Sequence, residues 1–112
     1  MIIDISNISP YNWGEQFQAW KLVDSAALSV VFEEMPAGGA EGLHKHINVQ
    51  QLFFILEGSA TFNLEGVIYE LKAHQSIYVY PGQAHFIQNN SNDPIKFLVI
   101  SNPHSHYDRV DL

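Results

Sequence analysis

Between residues 26 and 101 the chain is written as short runs of β-forming residues, each closed by a turn signal. That punctuation suits a sandwich or a barrel with non-local pairing. Residues 28–35 read as a strand stopped by Pro36 and the small-residue stretch 37–42. Residues 52–56 are a continuous apolar run bounded by Glu57 and Gly58. Thr61-Phe62-Asn63-Leu64 alternates, and Glu65-Gly66 makes a tight hairpin into residues 67–71. Residues 76–80 are β-rich and turned by Pro81-Gly82; 85–88 follow, the polar cluster 89–94 breaks the pattern, and 95–101 form the last strong strand. Seven or eight strands are expected in all. Residues 13–23 fit neither the helical nor the strand period, and a short helical turn is the expectation there. The tail, 102–112, is expected to be ordered only by packing across the barrel or a neighbour.

At 112 residues, with 46% hydrophobic and 15% charged, the chain is long enough for one core, so 1–112 is read as a single domain. The net charge of −7 and only five basic residues argue against nucleic acid. There is no cysteine, so any metal must be held by nitrogen or oxygen. No apolar run is long enough to cross a bilayer, and Met1-Ile2-Ile3-Asp4 lacks the basic region of a leader, which predicts a cytoplasmic protein. A small surface with few charges favours a twofold homodimer.

The chemistry is concentrated in three histidines. In a strand, residues i and i+2 share a face, so His44 and His46 can offer two imidazole nitrogens to one ion. His85 follows the turn Pro81-Gly82-Gln83-Ala84 and is the natural third ligand. His104-Ser105-His106 is a second His-x-His, but it lies in a polar tail beyond Pro103 with no further ligand at motif spacing. Arg109 is the only arginine; its fork suits a carboxylate or phosphate, while an Asp108–Arg109 structural pairing with a neighbour is the plainer expectation.

Gly38, His44, His46, Gln51 and Gly58, followed by His74, Tyr80, Gly82, His85 and Asn89, resemble the two motifs of the cupin superfamily. Gln51 stands where glutamate is usual, His74 where the second motif begins with glycine, and Tyr80 where proline is usual. The resemblance spans residues 26–101 and implies an all-β fold, the cupin-like double-stranded β-helix or jelly-roll barrel, with the N-terminal segment and the tail peripheral. It also implies one divalent transition metal (Fe, Mn, Ni, Co, Cu or Zn) held by His44, His46, Gln51 and His85, with one or two positions left open. A neutral glutamine contributes an oxygen without charge, leaving a stronger Lewis acid suited to an anionic small molecule. Alternation from Gln51 points Phe53 and Ile55 inward; Tyr78, Tyr80 and Arg109 are the other expected lining residues of the substrate pocket.

Three functions follow from the resemblance. The first is isomerisation or tautomerisation of a small sugar or sugar-acid carbonyl compound. Three histidines plus glutamine are similar to the metal set of cupins that linearise unsaturated uronates, although residues 95–101 lack the acid those enzymes place there. The second is a metal-dependent dioxygenase of an enol or diketone, and the third a non-catalytic binding module.

Overall fold

The computed structural model describes residues 1–14, 16–105 and 108–112. After a 3-10 turn, Ile5–Asn7, the chain forms strands β1 (Tyr11–Trp13), β2 (Phe17–Asp24), β3 (Ser29–Met35), β4 (His44–His46), β5 (Gln50–Glu57) and β6 (Ser59–Leu64). These are followed by β7 (Val67–Lys72), β8 (Ser76–Val79), β9 (His85–Gln88), β10 (Ile95–Asn102) and β11 (Arg109–Asp111). They build two antiparallel sheets, one in the order β1-β2-β3-β10-β5-β8 and one in the order β11-β4-β9-β6-β7. Among the described residues no helix is long and apolar enough to cross a membrane.

The expected helical turn at residues 13–23 is replaced by β1 and β2, which pair with each other. The irregular pattern has a physical cause. Phe17 and Ala19 face the core, then a bulge between Lys21 and Val23 breaks the β2–β3 register, so Trp20, Leu22 and Val23 cannot follow one alternation. The tail packs on the barrel as a strand, β11, which pairs with β4 in the register Arg109↔His46.

The core lies between the inner faces of the two sheets. Met35, Phe53, Ile55, Phe97 and Val79 from one sheet meet Phe62, Leu71 and Ile87 from the other. Phe53 stands edge-on to Phe62 with centroids 4.9 Å apart. The outer face of the six-stranded sheet is apolar too: Trp20 packs on Phe32 at 5.4 Å, beside half-buried Phe54, Leu98 and Ile100. β1 extends the edge of that sheet beside β2.

The backbone shows what several motif positions demand. His74 has φ = 73°, a left-handed conformation in which glycine is the unstrained residue. Gly58 has φ = 90°, and a Cβ there would stand 2.8 Å from Ile95 Cγ2, so this turn demands glycine on two counts. Asn89 is fully buried and ties loops together: its amide donates to the carbonyls of Met35 and Asp93 while its oxygen accepts from Ser91.

Candidate functional site

The short strand β4 carries His44 and His46 on its inner face, 2% and 5% exposed, with Lys45 pointing away between them. β9 pairs with β4 at His44↔His85, which sets the third histidine beside the first two. The ring centroids of His44 and His85 are 4.4 Å apart, and a ligand nitrogen from each of the three histidines fits within 4.8 Å of the others. Phe62 stacks on the His85 ring and Phe53 meets it edge-on.

The outer contacts of the three rings decide their tautomers. His44 Nδ1 donates to the Gly42 carbonyl at 2.8 Å and His85 Nδ1 to the Gln83 carbonyl at 2.9 Å. His46 Nδ1 donates to Asp108 Oδ1 at 3.0 Å. A carbonyl or carboxylate can only accept, so each Nδ1 carries the hydrogen and each Nε2 presents a lone pair. Burial keeps the rings neutral. It depresses the His44 pKa to about 4 against the help of the Gly42 carbonyl. It also lowers His85, and lowers His46 in spite of Asp108.

Gln51 reaches the same point from β5. Its neighbour Gln50 is exposed, as strand alternation requires, and accepts from the Tyr78 hydroxyl. The buried Gln51 amide donates from Nε2 to Ser101 Oγ at 3.0 Å, which turns Oε1 inward to within 3.1 Å of His85 Nε2. With Nδ1 already protonated, His85 Nε2 and Gln51 Oε1 are two acceptors facing each other. Such a pair needs a positive centre or a donor proton between its lone pairs. Adjacent ligands of an ion with bonds near 2.1 Å stand roughly 3.0–3.4 Å apart, so the spacing suits a metal. The four side chains therefore fit the ion that the motifs imply.

Beside this cluster opens a cavity of about 380 Å³, lined among others by His44, His46, Gln51, Phe53, Ser101 and Arg109. Ile55 faces inward but lies deeper, fully buried in the core. Tyr78 and Tyr80 were expected at the pocket and are absent from it. Tyr78 pairs with Leu52 and so occupies the outer face of β8, and Tyr80 packs edge-on against it at 4.6 Å, both exposed. The inward residues of β8 are Ile77, opposite Phe53, and Val79, opposite Gln51.

The tail contributes more than the sequence indicated. Asp108 bridges His46 and the Asn48 amide, and these contacts hold its carboxyl below the usual range against the cost of partial burial. Arg109 pairs with Asp111 at 2.8 Å and also lines the cavity, so Asp108 and Arg109 each make a separate structural contact. His104 meets Asp24 at 2.6 Å at the cavity edge, and His106 lies outside the described residues.

Glu33 and Glu41, which the sequence reading passed over, also line the cavity. For Glu33 the signal was available. Ser29, Val31, Glu33 and Met35 share one face of β3, and Met35 is fully buried, so one of the adjacent glutamates had to point inward. Glu41 was hidden in a stretch read as a loop; Ala40 bridges to Gln88, and Glu41 Oε1 accepts from the Ile87 amide at 3.1 Å.

The family profile described as the cupin domain matches residues 31–101. An uncharacterized protein of Methanocaldococcus jannaschii is 37% identical over 75 residues, which cover 66% of this chain and 60% of that protein. An oxalate-binding protein of Thermotoga maritima is 31% identical over 67 residues, covering 60% and 55% respectively. The matched region thus spans less than two thirds of the length of these curated relatives. Among solved structures, a predicted oxalate decarboxylase from Thermotoga maritima superposes with a TM-score of 0.87 at 23% identity, over 93% of this chain and all of the other. KdgF from Halomonas sp. gives 0.85 at 14% identity over 93% and 94%. The polyketide cyclase RemF from Streptomyces resistomycificus gives 0.84 at 16% over 100% and 84%. At these identities the superpositions establish the fold.

Proposed function

The chain belongs to the cupin family, and we propose that it holds one divalent transition metal at His44, His46, Gln51 and His85 and uses it as a Lewis acid on a small anionic carbonyl compound, which it isomerises or tautomerises. The observation that carries this reading is the facing pair of bare acceptors, His85 Nε2 and Gln51 Oε1, 3.1 Å apart in a buried site. A bound ion would supply positive charge that polarises a substrate carbonyl and offsets the charge that develops on its oxygen.

The protein's own groups do the rest. Ser101 fixes the Gln51 amide so that its oxygen faces the histidines. Gly42, Gln83 and Asp108 fix the three imidazoles, the outer-contact role that makes ligand geometry rigid. Because Gln51 adds no charge, the site favours an anion, and Arg109 at the cavity wall supplies a fork for its carboxylate. A dioxygenase is less favoured, since Tyr78 and Tyr80, expected as aromatic walls of its pocket, stand outside the cavity.

Binding without turnover is the second reading, favoured by the oxalate-binding relative. A dicarboxylate of that size could take the open positions and stay. The apolar outer face of the six-stranded sheet supports the further reading that two copies associate through it.

Metal analysis of the purified protein tests the site: about one ion per chain is expected. Removing the ion should lower Tm, and returning Ni, Mn, Fe or Zn should restore it by binding linkage. Absence of metal, with no thermal shift on addition, would overturn the reading. Deuterium uptake from D2O beside the carbonyl of a 2-keto acid then separates turnover from binding alone.

A further inference from the structure

One part of the cavity has no role in holding an ion. Glu33 comes from β3 and Glu41 from the segment leading into β4, and both line the cavity that His44, His46 and Gln51 enter, with Arg109, Lys21 and Tyr11 as its other charged or titratable neighbours besides His104. Two carboxyls in one half-buried cavity repel, and pairs whose environments differ divide into an acid and a base.

The two differ in their partners. Glu41 Oε1 is anchored by the Ile87 amide at 3.1 Å, a donor that favours the carboxylate form and fixes the side chain. Glu33 receives no hydrogen bond or ion pair from the described residues, a setting in which a carboxyl keeps its proton. Burial pushes both up, Glu41 to about 7 and Glu33 well above its ordinary value, with Arg109 opposing.

On the premise of the Lewis-acid function above, we infer that Glu41 and Glu33 are the proton-handling residues of this cavity, Glu41 the base and Glu33 the acid, acting on a 2-hydroxy carbonyl compound whose carboxylate is held by Arg109. Glu41 takes the proton from the hydroxyl-bearing carbon. The C–H pair becomes the C=C of an enediol as the carbonyl π pair moves to oxygen, and Glu33 gives its proton to that oxygen. In the return step Glu33 takes the proton of the neighbouring hydroxyl, that oxygen's pair closes the new C=O, and the C=C pair takes the proton back from Glu41 at the former carbonyl carbon. Every atom is retained and no oxidant is required.

Hydroxypyruvate is a suitable probe, since it carries the carboxylate, the carbonyl and the adjacent C–H. The metal-loaded full chain should incorporate deuterium from D2O at that carbon. Glu41→Gln should slow incorporation by about a hundredfold or more and Glu33→Gln by about tenfold or more, with metal content and calorimetric affinity for the probe retained. Wild-type rates in Glu41→Gln would overturn the inference and leave the metal reading standing; failure of the metal reading would instead appear as absent metal in the wild type. Wild-type protein that binds ion and probe yet exchanges nothing would also overturn it. A readout independent of turnover is the carboxyl 13C titration of the metal-free protein. There Glu41→Gln should move the Glu33 titration down by about half a unit or more, and two uncoupled carboxyls with ordinary titrations would reject the pairing.

Discussion

Asp108 Oδ1 lies 3.0 Å from His46 Nδ1, and Oδ2 of the same carboxylate accepts from the Asn48 amide at 2.7 Å. A residue 62 positions along the chain from His46 therefore fixes both the tautomer of a candidate ligand and the loop that follows it. The tail reaches this place because β11 adds to the edge of β4 and because His104 N and Asn102 Nδ2 pin the preceding turn to the carbonyls of Ala26 and Ala27.

Replacing Asp108 with asparagine retains an acceptor but removes the charge that strengthens the imidazole as a donor to metal. Affinity for Ni or Zn, measured by competition with a chromophoric chelator, should fall by about 10- to 100-fold while far-UV circular dichroism is unchanged. Unchanged affinity would mean that the tail orders the loop alone.

Ser101 is 1% exposed and is the acceptor that orients Gln51. Ser101→Ala leaves a buried amide N–H without its partner, at a cost of about 1–3 kcal/mol in the metal-free protein by urea denaturation. It also frees the Gln51 amide to turn, so metal affinity should drop as well. A variant as stable as wild type would show that another acceptor replaces the hydroxyl.

His74 is held at φ = 73° while its amide donates to the Ile55 carbonyl at 2.7 Å. The side chain is exposed and makes no hydrogen bond among the described residues, so His74→Gly should relieve strain and raise stability by about 1 kcal/mol, roughly 4 °C in Tm for a domain of this size. A loss of stability would assign the imidazole a packing role.

The three histidines and Gln51 were legible because strand periodicity and motif spacing are local: His44 and His46 sit two apart, and His85 follows its own turn. Tyr78 and Tyr80 misled because an aromatic residue scores as a core or pocket residue whichever face it occupies. Only the pairing of Leu52 with Tyr78 settles that face. Arg109 was noticed for its guanidinium, but its place depends on a pairing with His46 that no local pattern announces. Glu33 and Glu41 went unread because sequence rules treat glutamate as surface, and a carboxyl is drawn inward here by a cavity whose walls come from both sheets, β1, β2, β3, β5 and β10 of one and β4 and β11 of the other.

Those two glutamates also shape the pH dependence of folding. The Glu41 carboxyl stands at about 7 in the folded chain against an ordinary 4.5. Between these values the folded state binds more protons than the unfolded, so this group's contribution is intact at low pH and is lost as pH rises through about 7. The histidines act in the opposite sense. His44 is depressed from 6.5 to about 4, so the unfolded state binds more protons in that window and stability falls on acidification. The wild-type curve mixes both, but Glu41→Gln removes the Glu41 contribution and, by lifting the repulsion on Glu33, weakens that of Glu33 in the same sense, while the histidine contribution remains. The stability of metal-free Glu41→Gln minus that of metal-free wild type, from urea midpoints, should therefore rise between pH of about 4.5 and 7.5, by on the order of 1 kcal/mol after solvent screening at the cavity mouth. A difference that stays flat across this window would mean that Glu41 titrates in the folded protein as it does in the unfolded chain.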